Sequence, residues 1–393
     1  LIATAVVCIT QAQEHSILAT GRDTISYRYT PITQPQAKQS GWSKVYNYFQ
    51  QSSTDKTATK KFDISVVGAP TYSSTTGLGL GVMAAGLYRV DRTNLQVPPS
   101  TISLFARATL KGIYNVGIEG INIFKDNRDR INYRVAIVSQ PTMFWGLGYD
   151  AAISNTPIKY TSNSEQVELS YYHRIYRNLY IGTKLNFDYI YTRKRDRELV
   201  APLIGGGKNE SLTTGLSLLL EYDSRDFTLN ASKGHFFRVE QMFYPKLLNN
   251  YYFNSTDITY STYVRPYKSA ILAFEVNGQY NYSSTGGEVP WTYLAKSGEG
   301  NRLRGYYEGR YRDNGIIQAQ IELRQHIWKR WGCALWVGGG NVFHNFKSID
   351  MERFLPTYGI GARWEMKRRV NIRFDLGFTR NKPGFCFNIG EAF

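Results

Sequence analysis

The sequence predicts an all-β protein, a transmembrane antiparallel β-barrel of about sixteen strands preceded by a short amphipathic helix. Three observations point there. Apolar and polar residues alternate with period two from about Lys61 to the end; long and short connections alternate between those stretches; and 30 Tyr, 20 Phe and 35 Gly sit beside a negative mean hydropathy. In a membrane barrel half of each strand faces lipid and half faces a polar lumen, so mean hydropathy stays low while aromatic girdles raise Tyr and Phe. No run of about eighteen apolar residues, the length a helical span needs, follows the N-terminal segment.

Taken in order, residues 1–13 open with the apolar stretch Leu1 to Ala12 and read as the remnant of an export signal cut near Gln13. Residues 14–60 read as a periplasmic linker, aperiodic and rich in Thr, Ser, Gln and Pro, ending in a short helix. In that helix Trp42, Val45, Tyr46 and Phe49 share one face, suited to the membrane interface or the barrel mouth. The barrel is assigned to 61–393.

Its predicted strands run near 61–70, 77–89, 101–110, 112–123, 131–140, 166–176, 178–192, 212–222, 235–245, 253–265, 268–282, 315–327, 332–343, 357–366, 369–379 and 384–393. In 370–379, Val370, Ile372, Phe374, Leu376 and Phe378 alternate with Asn371, Arg373, Asp375, Gly377 and Thr379. A soluble sandwich would show the same alternation; connection length separates the two. If the chain starts in the periplasm, 141–165, 193–211, 283–314 and 344–356 fall outside, while Arg177, 266–267, 328–331 and 367–368 fall inside. Long loops outside and tight turns inside are the outer-membrane pattern. The chain also stops on Phe393, whose parity in the last predicted strand is lipid-facing.

Composition narrows the function. A net charge of +16 is dispersed over strands and turns, not gathered into the stripe a nucleic acid requires, and suits anionic lipid and lipopolysaccharide instead. Cys8, Cys333 and Cys386 are odd in number and widely spaced, which gives no disulfide framework and no metal pattern, and no cofactor motif is present. His15, His173, His235, His326 and His344 stand in no nucleophile motif, so an outer-membrane hydrolase finds no support.

The longest external connection, the sixth by parity, holds Asn301-Arg302-Leu303-Arg304-Gly305-Tyr306-Tyr307. Here the sequence resembles the BamA/TamA superfamily of outer-membrane assembly proteins, whose hallmark is an Arg-Gly-Phe or Arg-Gly-Tyr tip on the sixth external loop. Further segments resemble that family in the same order. They are Asp223-Ser224-Arg225-Asp226 between the eighth and ninth strands, Gly340-Asn341-Val342-Phe343, Tyr358-Gly359-Ile360-Gly361-Ala362-Arg363-Trp364, and the closing Phe387 to Phe393.

The resemblance implies a latch in which Arg304 enters the lumen and meets Glu322, from the inward set Gln318, Gln320, Glu322 and Arg324. Gly305 would turn the tip against the wall and Tyr306 would pack beside Trp336. The family's second latch acid falls on Gly338 here. The carboxylates Asp223 and Asp226 would pair with Arg225 to hold the periplasmic turn. Glycines 338, 339, 340, 359, 361 and 390 would soften the terminal seam, to which Gly390 and Phe393 belong. The stretch before the first strand resembles the branch without POTRA modules. The implied function is insertion, assembly or translocation of outer-membrane proteins or lipids, with nascent barrels or assembly-machinery subunits as partners. A structural or accessory subunit and a passive pore stand as the alternatives.

Overall fold

In a computed structural model, the described residues are 57 and 60–393 apart from 74–75, 93, 95–96, 194–209, 229, 247–248, 250, 284–288, 299–300, 368 and 381–382. The proposed signal remnant, Cys8, the linker apart from Thr57 and Lys60, and the helix bearing Trp42, Tyr46 and Phe49 lie outside the described residues.

Sixteen antiparallel strands close on one another. They are β1 (Phe62–Ser73), β2 (Gly77–Tyr88), β3 (Ser100–Thr109), β4 (Tyr114–Ile123), β5 (Asp129–Phe144), β6 (Ile158–Tyr176), β7 (Leu179–Arg193), β8 (Glu210–Asp223), β9 (Gly234–Tyr244), β10 (Phe253–Val264), β11 (Ala270–Tyr282), β14 (Gly315–Trp328), β15 (Trp331–Phe343), β16 (Leu355–Lys367), β17 (Val370–Thr379) and β18 (Gly384–Ile389). Between β11 and β14, the two-residue strands β12 (Ala295–Lys296) and β13 (Arg312–Asp313) form a separate small sheet inside the sixth external loop. Among the described residues one short α-helix, α1 (Gly148–Ser154), follows β5.

Alternation decides which side each residue takes. Ile64, Leu80, Leu104, Ile137, Leu218, Leu335 and Ile360 are exposed on the outer wall, a belt suited to hydrocarbon, while their neighbours along the strands turn inward. β5 and β6 run beyond their predicted ends, paired from Asp129↔His173 to Phe144↔Ile158. Alternation is required only at the depth of the hydrocarbon, so the hairpin continues outward through Pro141 and the polar run at 161–164 without it.

With the start of β1 on the periplasmic side, two periplasmic connections are longer than a tight turn, 89–99 and 224–233. The others include two-residue hairpins in which Arg177, Lys329 and Arg369 take positive φ, the geometry that matches strand twist.

The end of the chain departs from the sequence reading. β18 stops at Ile389, and Gly390 with φ +89° turns the last residues inward. Phe393 therefore does not face lipid. Its ring lies 6.2 Å from that of Tyr263, and its carbonyl accepts from Arg324 Nη2 at 2.8 Å. The cause is Glu391, a carboxylate that finds its cations inside the lumen.

Candidate functional site

The sixth external loop folds back into the lumen and sets Arg304 on the wall formed by β14, β15, β16 and β17. Arg304 Nη1 lies 2.6 Å from Glu322 Oε2 and 3.0 Å from Asp375 Oδ2, while Nη2 donates to Gln320 Oε1 at 3.3 Å. The guanidinium carbon stands 3.8 Å above the Trp336 ring, a cation–π contact that Arg makes without giving up its planar hydrogen bonds. The Arg304 carbonyl accepts from the Thr357 hydroxyl.

The loop reaches this depth because two glycines face each other. Gly305 has φ +106°, and a Cβ there would meet the Gly377 carbonyl oxygen at 2.9 Å; a Cβ on Gly377 would meet the Arg304 oxygen at 2.6 Å. Bare backbone on both sides lets the loop lie directly on β17.

Two expectations are corrected. Tyr306 does not pack beside Trp336, because the Arg304 guanidinium occupies that ring. Instead Tyr306 crosses the Tyr311 ring at 5.6 Å, donates to the Pro356 carbonyl at 3.0 Å, and joins Trp145, Leu303, Ile316 and Leu355 in an apolar cluster above the latch. The second acid is not lost with Gly338. It is Asp375, from β17, which holds Arg304, Arg363 at 2.6 Å and Arg373 at 3.3 Å.

The latch extends to the end of the chain. Glu322 Oε1 lies 2.7 Å from Arg324 Nε, and Glu391 Oε2 lies 2.7 Å from Arg363 Nε and 3.6 Å from Arg324 Nε. Four arginines thus share three carboxylates in a region where Glu322 and Arg373 are fully buried. Each acid touches at least two guanidinium groups, which offsets the desolvation a lone buried charge would suffer. Sequence reasoning missed Asp375, Arg363 and Glu391. The inward parity of Asp375 beside Arg373, and an acid so near the end of a membrane strand, were the available signals.

The late glycines make room for this cluster. A Cβ on Gly359 would fall 2.3 Å from Trp336 Cζ2, and one on Gly361 would fall 2.3 Å from both Arg363 Nη1 and Asp375 Oδ1. The seam itself lies elsewhere than expected. Among the described residues β1 and β18 pair at Tyr72↔Phe387 and Ser73↔Cys386, with neither Gly390 nor Phe393 taking part. β1 pairs β2 along its whole length, from Phe62↔Tyr88 to Ser73↔Gly77. On its other side β18 has ended, so among the described strands none pairs β1 on the periplasmic side of Pro70 except β2.

At the periplasmic mouth the 224–233 turn also bends into the lumen. Arg225 forks onto Asp223 at 2.7 and 2.9 Å, a pairing inside the turn. Asp226 instead reaches across the mouth: it accepts from Ser232 N and Oγ at 2.8 and 2.6 Å and from Arg369 Nη2 at 2.8 Å. Burial disfavours its charge, but the Ser232 hydrogen bonds and the Arg369 cation outweigh that and hold its carboxyl below the usual aspartate range. Phe227 is thereby seated on Met83, Phe105 and Val370 inside the barrel.

No group of three or more His, Cys, Asp or Glu able to hold a metal occurs among the described residues.

Comparison with known proteins agrees with this geometry. A family model described as the Omp85 superfamily domain matches residues 120–393. No curated protein matches the chain. Among solved structures, BamA from Haemophilus ducreyi lacking POTRA domains 1–3 superposes with a TM-score of 0.60 at 14% identity, covering 84% of this chain and 70% of that one. CdiB from Escherichia coli gives 0.56 at 10% identity, covering 84% and 63%. CdiB from Acinetobacter baumannii gives 0.53 at 13% identity, covering 84% and 60%, so the chain spans less than two thirds of either CdiB. At these identities the likeness is one of fold.

Proposed function

The chain belongs to the Omp85 superfamily and is a barrel of the bacterial outer membrane, and we propose that it inserts or translocates proteins or lipids there by parting its wall between β1 and β18. The observation that carries this reading is the seam. β1 and β18 are joined at two positions, against twelve between β1 and β2, and a strand edge so weakly held by its neighbour is where another strand can pair. The latch gives the seam a restraint, because Glu391 at the foot of β18 shares Arg363 and Arg324 with the carboxylate that binds Arg304. In this reading the clients are nascent barrels or lipid, assembly-machinery subunits deliver them, and lipopolysaccharide surrounds the outer rim.

The reading calls for no bond chemistry. Among the described residues His173 pairs with Asp129, His235 with Tyr260, His326 with the Lys329 carbonyl and His344 with Asp313, four separate places that assemble no nucleophile. A passive pore is disfavoured because the sixth loop and the 224–233 turn occupy the lumen from both ends.

The test places a photo-crosslinking residue at Ile64, on the part of β1 that β18 does not reach, in cells making a newly exported barrel protein. Capture of that protein supports the proposal. Capture of lipid alone supports a lipid client, and crosslinks confined to this chain overturn insertion through the seam.

A further inference from the structure

The lumen is not filled evenly. The sixth loop packs the β11 to β17 side, and a cavity of about 710 Å³ remains on the opposite side, at the periplasmic end, between the β4 to β9 wall and the 224–233 turn. Its rim includes the exposed residues Arg177 and Lys233 from two periplasmic connections, so it opens to the periplasm. Farther up the lumen, the ion pairs of Glu240 with Lys184 and Arg238 cross the wall above it.

Six cationic residues line this vestibule against three carboxylates. Pairing accounts for some of them. Arg225 is taken by Asp223, Arg238 by Glu240, and Asp226 by Arg369. Arg130, Arg174, Arg177 and Lys233 remain, and among the described residues none of the four has a carboxylate within ion-pair distance. Arg130 donates to the neutral oxygens of Tyr180 and Asn127, and Arg174 to the Asp126 carbonyl. Only Glu221 is left in the lining to balance them. A concave site with this surplus concentrates anions.

We propose that the vestibule binds a short carboxylate-rich peptide segment presented from the periplasm. Two features favour a peptide over a single anion. The four cations come from separate elements around the rim: β5, the foot of β6, the β6–β7 turn and the 224–233 turn. Between them lie apolar and amide side chains, Ile121, Tyr172, Phe236, Asn132 and Asn178, which suit the apolar and main-chain parts of a peptide. The site is independent of the seam, so its failure would leave the reading above untouched.

The experiment uses the full chain in neutral detergent and a fluorescent hexaglutamate probe followed by anisotropy, with hexalysine and hexa-asparagine as comparisons. The hexaglutamate binds saturably and weakens with salt, and Arg130→Ala/Arg174→Ala/Lys233→Ala weakens it about tenfold, about 1.4 kcal/mol. The milder pair Arg177→Ala/Lys233→Ala, both on exposed side chains, loses a smaller part. Removing the same charge elsewhere on the periplasmic rim, as Arg265→Ala/Lys268→Ala/Lys329→Ala, leaves binding unchanged. Equal loss in both triple variants, no saturable binding, or displacement by inorganic phosphate or phosphatidylglycerol vesicles at matched charge would overturn the proposal.

Discussion

Arg304 and Glu322, eighteen positions apart in sequence, meet at 2.6 Å with both side chains buried, one carried in on an external loop and the other fixed in the barrel wall. Removing one member of a buried pair strands the other, a loss of about 3–5 kcal/mol in typical cases. Arg304→Ala and Glu322→Ala should each lower the temperature at which the folded barrel loses its faster gel mobility. The double variant should do little worse than either single one, and additive losses would argue against the pair.

Arg304→Lys should resemble Arg304→Ala more than wild type. A lysine ammonium cannot hold Glu322, Asp375 and Gln320 at once while stacking on Trp336. The same thermal assay decides it, and a Lys variant as stable as wild type would show that charge alone suffices.

Gly338→Glu, which places an acid where the family has one, should destabilise the barrel. A Cβ at 338 would fall 2.5 Å from the Ala319 carbonyl oxygen, and Asp375 already supplies the second carboxylate. Asp375→Asn should cost about as much as Glu322→Gln, since each carboxylate serves three arginines. A stabilised Gly338→Glu protein would contradict this assignment.

The 224–233 turn should loosen in acid. Asp226 is held below the usual carboxylate range, so its contribution is present above the unfolded value of about 3.9 and is lost as pH falls through the lower folded value. Hydrogen-exchange protection across 224–233, corrected for intrinsic rates, should drop over that interval, and Asp226→Asn should have lost it already at neutral pH. A turn equally protected at pH 3 and pH 7 would rule the Arg369 tie out as its fastening.

Sixteen strands were legible because a barrel imposes period two wherever it meets hydrocarbon, and because connection length fixes parity. Glu322 and Trp336 were legible for the same reason, since parity sends both inward, whereas Arg304 stands on a loop without period and was legible only through the Arg-Gly-Tyr resemblance. Where parity stops, the reading stopped. The β5–β6 hairpin extends into water, where no alternation marks it, and the two-residue β12 and β13 are too short for any period. Phe393 was placed on the lipid face by carrying the β18 alternation past Gly390, whose positive φ breaks it. Asp375 reads as part of a polar face, but its partners come from the sixth loop, β16 and β17, a grouping that only the infolding of the loop completes.

The most direct measurement is a lock across the seam. Tyr72→Cys with Phe387→Cys, in a background where Cys8, Cys333 and Cys386 are serine, joins a directly opposed antiparallel pair, whose Cα spacing suits a disulfide. The account predicts that the oxidised barrel stays folded but no longer crosslinks a client at Ile64, and that reduction restores capture. Undiminished capture by the oxidised barrel would contradict a seam that must part.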